Sequence, residues 1–288
     1  MTKICACLMI AALLFCCLFA ACTPKNDVNE ALKDTLKIEI LKIGKADCSI
    51  ITDGTTSIVV DCGEEDDGAE ISAAMDALGI NSIDYLIITH YDKDHIGGAP
   101  TLLKKYKVSK LLEPDYTPVD TTAYAYMSYR NALKEAEANG QCGSAEAVSD
   151  SVSLTVSDMK LNIVGTFGKD YAKNQDNNDS LVVSLEHLGN SFLFAGDIEK
   201  QRIADMLSQG RVQPCDFLKV PHHGVYNSKL EDYFSKVNMK YAAITCSDKN
   251  PAEQKTLDLL TAKGCRTFLT SNGTVHIRST KSGIDITQ

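Results

Sequence analysis

The chain has 288 residues, of which 44% are apolar and 23% charged, and its formal net charge at pH 7 is −9. This composition excludes a disordered or fibrous protein, and the length is enough for one large α/β domain or two small ones. The acidic balance argues against a domain that holds long nucleic acid, because such domains neutralise many phosphates with a basic surface. Positive charge for an anionic ligand would have to come from another source, such as bound metal.

The first 22 residues differ from the rest of the chain. Lys3 precedes a nearly unbroken apolar run from Ile4 to Ala21, which is short for a membrane-spanning helix and typical of a secretory signal. The end of this run, LFAAC at residues 18–22, resembles a bacterial lipobox, in which the cysteine, here Cys22, is lipidated after cleavage. The expected location is therefore extracytoplasmic, on the bacterial cell membrane through a lipid anchor. A secreted protein, if the lipobox is not used, or an uncleaved N-terminal anchor is the alternative.

This pattern predicts three segments: a lipoprotein-type signal peptide at 1–22, a polar tether at 23–35 and a folded domain at 36–288. Loss of Lys3 with the leader moves the formal charge from −9 to −10. The domain keeps six cysteines without a CxxC pair, so a zinc ribbon is not expected. Most of these cysteines lie in apolar runs typical of buried positions, and we predict no disulfide between them.

The first half of the domain is predicted to begin with short antiparallel strands. Apolar residues alternate from Leu36 to Ile40, and strands over 48–52 and 57–61 flank the hairpin signal Asp53-Gly54. Further along, the pattern predicts a helix over 71–78, a strand over 85–88, a helix over 99–106 and a tyrosine-rich helix over 124–138. The segment 113–150 is interpreted as an insertion over one face that shapes substrate access.

The second half again alternates strands and helices. The predicted strands are 161–164, 181–185, 191–195, 217–220, 241–245, 267–269 and 274–278, and the predicted helices are 198–207, 229–237 and 252–263. Strands in two groups with helices outside them predict two sheets packed face to face.

Potential metal ligands are concentrated directly after predicted strands. The stretch THYDKDHIGG at residues 89–98 offers His90, Asp92, Asp94 and His95, and its Gly97-Gly98 pair would let the backbone turn tightly. An ordinary loop has no use for this density of carboxylates and imidazoles.

Three further clusters occupy equivalent positions: Asp197 in FLFAGD, His222 and His223 in LKVPHHG, and the oxygen-rich loop Asn174 to Ser180. Each alone is more often a turn or a surface loop, but their joint placement predicts one site. Mixed histidine and aspartate donors without thiolate favour zinc, manganese or iron over copper.

The ordered set of motifs resembles the metallo-β-lactamase superfamily, and within it the soluble metallo-hydrolase domain of ComEC-type competence DNA-uptake proteins. The matching stretches are IGKADCSIIT, DCG, THYDKDHIGG, NNDSLVVSL, FLFAGD, LKVPHHG and NGTVHI. The resemblance implies an α/β fold, a four-layer αβ/βα sandwich, with two metal ions at the shared edge of the two sheets.

The resemblance also assigns the site residues by position. It implies two sets of metal ligands that share a bridging aspartate: His90 and Asp92 for the first ion, Asp94, His95 and one of His222 or His223 for the second, and Asp197 between them. The superfamily histidine that completes the first set is missing. Asn177, Asn178 and Asp179 stand there as possible weak metal or substrate ligands, and Asp61 is expected to orient a ligand.

These assignments lead to the hypothesis of metal-assisted hydrolysis. Two divalent ions, zinc or manganese, would lower the pKa of a water, with Asp94 and Asp197 as the catalytic carboxylates. The expected substrate is a small molecule or short phosphodiester, such as short nucleic acid, a nucleotide or an envelope phosphodiester, since the acidity disfavours extended DNA. The sequence does not define an oligomeric state.

Two alternatives stay open. A catalytically weak or inactive lipoprotein could use the fold as a binding module, which the missing third histidine would favour. A lactonase or β-lactamase-type hydrolase would act on carbonyl substrates, but those branches usually keep a histidine at the position of Asp92.

Overall fold

Two mixed β-sheets form the centre of the protein in the computed structural model, which describes residues 34–171 and 175–288. The first sheet has eight strands in the spatial order β15-β14-β1-β2-β3-β4-β5-β6. In chain order they are β1 (Leu36–Ile40), β2 (Ser49–Thr52), β3 (Ser57–Val60), β4 (Ser82–Ile87), β5 (Lys107–Pro114), β6 (Ala145–Val148), β14 (Val275–Thr280) and β15 (Gly283–Thr287).

The second sheet has seven strands in the order β13-β12-β11-β10-β9-β8-β7. Its strands are β7 (Ser151–Val156), β8 (Met159–Val164), β9 (Val182–His187), β10 (Asn190–Phe194), β11 (Phe217–Lys219), β12 (Tyr241–Ile244) and β13 (Arg266–Leu269). Strands β3 to β6 are mutually parallel in the first sheet, as are β10 to β13 in the second, so each group presents its carboxyl ends at one edge.

The helices cover the outer faces of the two sheets. They are α1 (Gly68–Ala77), α2 (Lys93–Ile96), α3 (Ala99–Lys105), α4 (Tyr124–Ala138), α5 (Gln175–Asn178), α6 (Lys200–Ser208), α7 (Leu230–Val237) and α8 (Gln254–Ala262). One apolar cluster joins α1, α3 and α4 to the first sheet, a second lies between the sheets, and a third joins α6, α7 and α8 to the second sheet. The predicted four-layer αβ/βα sandwich is thus confirmed.

The sequence pattern missed four strands, β5, β6, β7 and β15. β5 begins with Lys107 and carries Lys110, so its apolar run is short, although its last four residues are buried. β6 pairs parallel with β5, so the predicted insertion over 113–150 contributes a strand to the first sheet besides the covering helix α4. In the described ranges, every helix is too short or too polar to cross a membrane.

Candidate metal centre

Loops from both sheets converge where the parallel strands end. Asp61 follows β3, the stretch 89–98 follows β4, and Asp197 comes shortly after β10. His222 and His223 lie in a 3₁₀ turn, Pro221–Gly224, that follows β11. Since parallel strands deliver their carboxyl ends to one edge, the loops that were separate motifs in sequence form one buried cluster.

Three histidines meet around one carboxylate. His95 is fully buried, and its Nε2 lies 3.4 Å from Oδ2 of Asp197. His223 Nε2 lies 3.0 Å from the same oxygen and 3.4 Å from Oδ2 of Asp94. Ligand atoms of His90, His95 and Asp197 lie within 4.8 Å of one another, as do those of Asp94, His95 and His223. His95 belongs to both groups, and Asp197 also groups with His223 and Asp47, so these sets form one connected cluster.

The residues present fit a divalent metal. Nε2 of His90, of His95 and of His223 is buried and makes no hydrogen bond within the described residues. A buried polar atom without a partner costs about 1–3 kcal/mol, so three of them aimed at one point require an explanation. Imidazole nitrogens facing carboxylate oxygens are the donor set of zinc, and of manganese or iron where oxygens predominate.

Electrostatics makes the metal-free cluster attractive to cations. Burial alone would lower the pKa of His95, but the carboxylates of Asp197 and Asp61 raise it well above its ordinary value. His223 behaves likewise: burial opposes protonation, yet Asp197 and Asp94 raise its pKa to about 9. Burial would raise the pKa of Asp197, but His223 and His95 hold it well below its usual range. Protons therefore occupy the histidines until a metal ion replaces them.

Asp61 fixes the ring of His95. Its Oδ2 lies 2.8 Å from His95 Nδ1, and its two oxygens accept hydrogen bonds from the backbone N–H and the hydroxyl of Thr89, both at 2.8 Å. With Nδ1 donating to the carboxylate, Nε2 is the nitrogen that faces the site. This geometry agrees with the orienting role that the motif implies for Asp61.

The backbone separates His222 from His223. Both residues are left-handed, with φ of 48° and 51°, so their side chains leave the turn in different directions. His222 Nδ1 lies 3.2 Å from Glu199 Oε1, and its Nε2 lies 3.5 Å from Nδ2 of Asn177. Of the two candidates, the structure brings His223 to Asp94 and Asp197.

The side chain of Asp92 lies at the margin of the cluster. It is 45% exposed, and its Oδ2 is 3.7 Å from His90 Nε2. It belongs to none of the groups whose ligand atoms lie within 4.8 Å of one another in the described residues. One metal ion could still contact both atoms, since metal–nitrogen and metal–oxygen distances of about 2 Å each add up to more than this separation.

Two of the three residues considered as weak ligands turn away from the histidines. Oδ1 of Asn178 accepts hydrogen bonds from the backbone N–H groups of Glu199 (3.2 Å) and Arg202 (3.0 Å), so it caps helix α6. Asp179 is buried, which raises its pKa to about 6, and Arg202 is the cation that opposes this shift. Neither residue reaches the metal cluster.

Asn177 is placed differently. It donates to Glu199 at 2.8 Å and lies next to His222, so it borders the site through that histidine. Asn174, which begins the same loop, and the lipidation candidate Cys22 lie outside the described residues.

The glycine pair of the motif serves close packing rather than a tight turn. Gly97 and Gly98 have right-handed helical backbones, which any residue can adopt. A Cβ on Gly98 would lie 2.2 Å from the carbonyl oxygen of Cys62, and one on Gly97 would lie 2.5 Å from the backbone nitrogen of Glu65. The expectation of a special turn was wrong: these glycines let the motif pack against the loop after β3.

Sequence reasoning missed two buried charges, Asp47 and Lys219. Asp47 precedes β2 and belongs to two of the potential ligand groups, one with Asp197 and His223 and one with Asp61 and His95. Lys219 ends β11, is 2% exposed, forms an ion pair with Asp47, and places Nζ 3.7 Å from Oδ1 of Asp197. The sequence did contain a signal for Lys219, because this lysine lies in an otherwise apolar predicted strand. A lysine buried there needs a partner of opposite charge.

A cleft of about 630 Å³ opens beside the metal cluster. Its lining includes Asp92 and Asp94 from the motif, and it extends to the N-terminal end of helix α4. Acidic side chains outnumber basic ones around it: Glu64, Glu65, Asp66, Asp120 and Asp176 against Lys45 and Lys93. Part of this charge is compensated, because Lys45 lies 2.8 Å from Asp94 and Lys93 lies 3.2 Å from Glu64.

This fold, with candidate metal-binding histidines and aspartates at the shared edge of two sheets, is of the metallo-β-lactamase type. The family model of the metallo-β-lactamase superfamily matches residues 42–247, so the chain belongs to that superfamily.

Two sequence relatives support the resemblance to the ComEC type. The chain is 33% identical to ComE operon protein 3 of Bacillus subtilis over 207 residues, which cover 70% of this chain and 25% of the relative. It is 25% identical to Recombination protein 2 of Haemophilus influenzae over 224 residues, 76% of this chain and 25% of that protein. The matched part therefore spans about a quarter of each relative.

Solved structures share the fold at low identity. The metallo-β-lactamase fold protein YhfI from Bacillus subtilis superposes with a TM-score of 0.55 and 11% identity, covering 84% of this chain and 100% of that one. CmlA, a diiron β-hydroxylase from Streptomyces venezuelae, superposes with a TM-score of 0.52 and 15% identity. The match covers 81% of this chain and 52% of that one.

Proposed function

We propose that the protein is a membrane-anchored, extracytoplasmic hydrolase that cleaves phosphodiester bonds in small or short substrates with the help of two divalent metal ions. The observation that carries this proposal is the convergence of three buried histidine nitrogens, which make no hydrogen bond within the described residues, on the carboxylates of Asp197 and Asp94. The lipid anchor rests on residues 1–22 alone, through the cysteine of the lipobox-like sequence.

The bound ions would polarise a phosphoryl oxygen and supply a nucleophilic water near neutral pH. The residues of the chain would hold that arrangement in place. Oδ2 of Asp197 faces both His95 and His223, so this carboxylate would help to hold the ions together with both histidines, while its other oxygen faces Lys219. Asp94, which lines the cleft, would orient the attacking water.

The negative charge of the cleft favours a short substrate over a long polyanion. Beyond the candidate ligands, the lining carries more carboxylates than ammonium groups, and the nearby lysines are already paired. A long polyanion would place many phosphates against this surface without releasing counterions to basic side chains. A single phosphodiester that lies on the metal ions avoids that repulsion, which favours a short oligonucleotide, a nucleotide or an envelope phosphodiester. Similarity to ComE operon protein 3 supports the phosphodiester class.

The first prediction tests this reaction with residues 23–288 and bis(p-nitrophenyl) phosphate. With manganese or zinc present, the wild type should release p-nitrophenol, and Asp197→Ala or His95→Ala should lower kcat/KM by at least about 10³-fold, because each residue belongs to more than one group of candidate ligands. Asp158→Asn, in the exposed turn between β7 and β8, is the matched control and should keep full activity.

Equal turnover by the wild type and the two site variants would refute the proposal. Fewer than one ion per chain after metal supplementation would instead support a binding module. Hydrolysis of nitrocefin or a lactone without phosphodiester cleavage would assign the protein to a carbonyl-directed branch.

A further inference from the structure

Asp47 and Thr245 form a hydrogen-bonded chain that ends at His223. The Thr245 hydroxyl donates to Oδ1 of Asp47, and the same hydroxyl oxygen lies 3.0 Å from Nδ1 of His223. Asp47 Oδ1 itself is 3.5 Å from that nitrogen. All three residues are at most 5% exposed, so water does not compete for these bonds.

The protons available in this series of hydrogen bonds determine which nitrogen of His223 donates to Thr245. A hydroxyl has one proton, and Thr245 gives it to the carboxylate of Asp47, so its oxygen can only accept from the imidazole. His223 must therefore carry a proton on Nδ1. Its other nitrogen, Nε2, which lies 3.0 Å from Asp197 Oδ2, is then the one that can give up its proton and offer a lone pair to a metal ion.

Lys219 and the backbone hold Asp47 in this role. The Lys219 ammonium pairs with Oδ2 of Asp47, which leaves Oδ1 for Thr245. The backbone N–H of Asp47 donates to the carbonyl of Asp94 at 3.0 Å, and its carbonyl accepts from Gly63 at 2.9 Å. The loop before β2 is thereby attached to two loops that carry candidate ligands.

The same arrangement occurs a second time in the site. Thr89 donates its hydroxyl proton to Asp61, and its oxygen lies 3.1 Å from Nδ1 of His90. His90 Nε2 is again the nitrogen that points into the cluster without a hydrogen bond. The site thus contains two carboxylate–threonine–histidine chains, and each ends at an Nε2 that makes no hydrogen bond in the described residues. This repetition supports a common role in orienting histidines.

We propose that Asp47 and Thr245 are positioning residues, which hold the proton on Nδ1 of His223 so that Nε2 is the nitrogen that exchanges its proton for a metal ion. The inference rests on the metal-binding part of the proposed function and not on its phosphodiester substrate. Carboxylates and hydroxyls that orient metal-binding histidines typically change metal affinity by about 10–100-fold when they are removed.

The second prediction concerns metal affinity, which is measured without substrate by competition with a chromophoric chelator. Thr245→Val keeps the shape of the side chain but removes the hydroxyl, and it should weaken zinc or manganese binding by about 10-fold or more. Thr245→Ser restores the hydroxyl and should bind within about 3-fold of the wild type, since its oxygen can make the same two bonds. The cobalt-loaded Thr245→Val variant should also show an altered visible spectrum.

The matched control is Thr270→Val. Thr270 is fully buried on the neighbouring strand connection, and its hydroxyl makes two hydrogen bonds to the backbone of Cys246 but none to a histidine. This variant should lose stability in the same way as Thr245→Val but keep wild-type metal affinity. Equal weakening in both valine variants, or no weakening in Thr245→Val, would overturn the inference.

A metal-free measurement reads the tautomer directly. At a pH high enough for the imidazole of His223 to be neutral, two-bond ¹H–¹⁵N spectra should show its proton on Nδ1 in the wild type, as the contact with the Thr245 hydroxyl requires. In Thr245→Val the proton should move largely to Nε2. A wild-type His223 protonated on Nε2 would refute the inference, whatever the outcome of the hydrolysis assay.

Discussion

Three residues in or beside the metal cluster, Asp61, His222 and His223, have left-handed backbones, with φ of 61°, 48° and 51°. For a residue with a Cβ this conformation costs about 1–2 kcal/mol, so the surrounding structure must hold it in place. Backbone hydrogen bonds do so: Asp61 donates to Ile87 at 2.9 Å, and His222 donates to Gly196 at 3.2 Å. At these three positions the left-handed backbone sets the direction in which the side chain leaves the loop.

Gly98 provides the third prediction, at the scale of one residue. Gly98→Ala should lower the free energy of unfolding by about 1–3 kcal/mol, because the new Cβ would lie 2.2 Å from the carbonyl oxygen of Cys62 and the backbone must move. Chemical denaturation of the metal-free protein measures this change.

Gly273→Ala is the control for that prediction. A Cβ there meets its nearest atom, on Gln288, at an ordinary 3.4 Å. It should change stability by less than about 0.5 kcal/mol. Equal losses in the two alanine variants would show that the close approach at Gly98 is not what the glycine provides.

Helix α4 is attached to the metal-binding motif by aromatic contacts. Tyr91, inside the motif, lies with its ring 5.1 Å from that of Tyr126 and 6.1 Å from that of Tyr129 on the helix. The Tyr129 hydroxyl donates to Glu113 at 2.6 Å, and Arg130 forms an ion pair with the same carboxylate at 2.8 Å. The helix thus holds one wall of the cleft at a fixed distance from the motif.

The fourth prediction concerns the first residue of that helix. Tyr124 is 70% exposed and lines the cleft. Tyr124→Ser should raise KM for bis(p-nitrophenyl) phosphate by about 2–10-fold, the equivalent of one lost aromatic contact, while kcat and metal content stay within about 2-fold.

Met127 supplies the comparison on the same helix. It is 50% exposed but does not line the cleft, so Met127→Ser should leave KM unchanged. A drop in kcat for Tyr124→Ser at constant KM would place Tyr124 in the reaction itself, against this prediction.

The stability of the whole molecule depends on pH, because charged groups are buried at the shared edge of the two sheets. In the metal-free protein His223 keeps its proton up to about pH 9, whereas the unfolded chain releases it near 6.5. The folded state thus binds more protons in this window, and stability falls as pH rises. Asp94 and Asp197 act at the acid end: their lowered pKa values give stability that is lost as pH falls below about 4.

The fifth prediction follows from these signs. The free energy of unfolding of the chelator-treated protein should decrease from pH 6.5 to 9 by on the order of 2 kcal/mol, since a tenfold change in proton affinity is equivalent to about 1.4 kcal/mol. In Asp197→Asn the decrease should be smaller, because this carboxylate raises the pKa of both His95 and His223.

With saturating zinc or manganese the trend should reverse, since metal binding displaces protons. A metal-free stability that is flat or rises between pH 6.5 and 9 would contradict the electrostatic picture. Denaturant titrations at several pH values provide the measurement.

Much of the site could be predicted because its residues occur in short motifs after apolar strands. His90, His95, Asp94, Asp197 and one residue of the His222-His223 pair were named from such motifs, and the structure brings them together. Asp47 and Lys219 could not be found in this way. They lie 172 residues apart in sequence, and only the alignment of the two sheets makes them partners.

The sequence by itself determined the layers and the chemistry of this protein. Alternating and continuous apolar runs specify the strands, and the residues that follow them specify a site of histidines and carboxylates. Only the tertiary structure decided which histidine of the pair faces the site, which oxygens of the 174–180 loop turn away, and which carboxylate orients His223. The reason is physical: a side chain's direction depends on backbone handedness and on hydrogen bonds to distant strands, and neither is encoded in local hydrophobic periodicity.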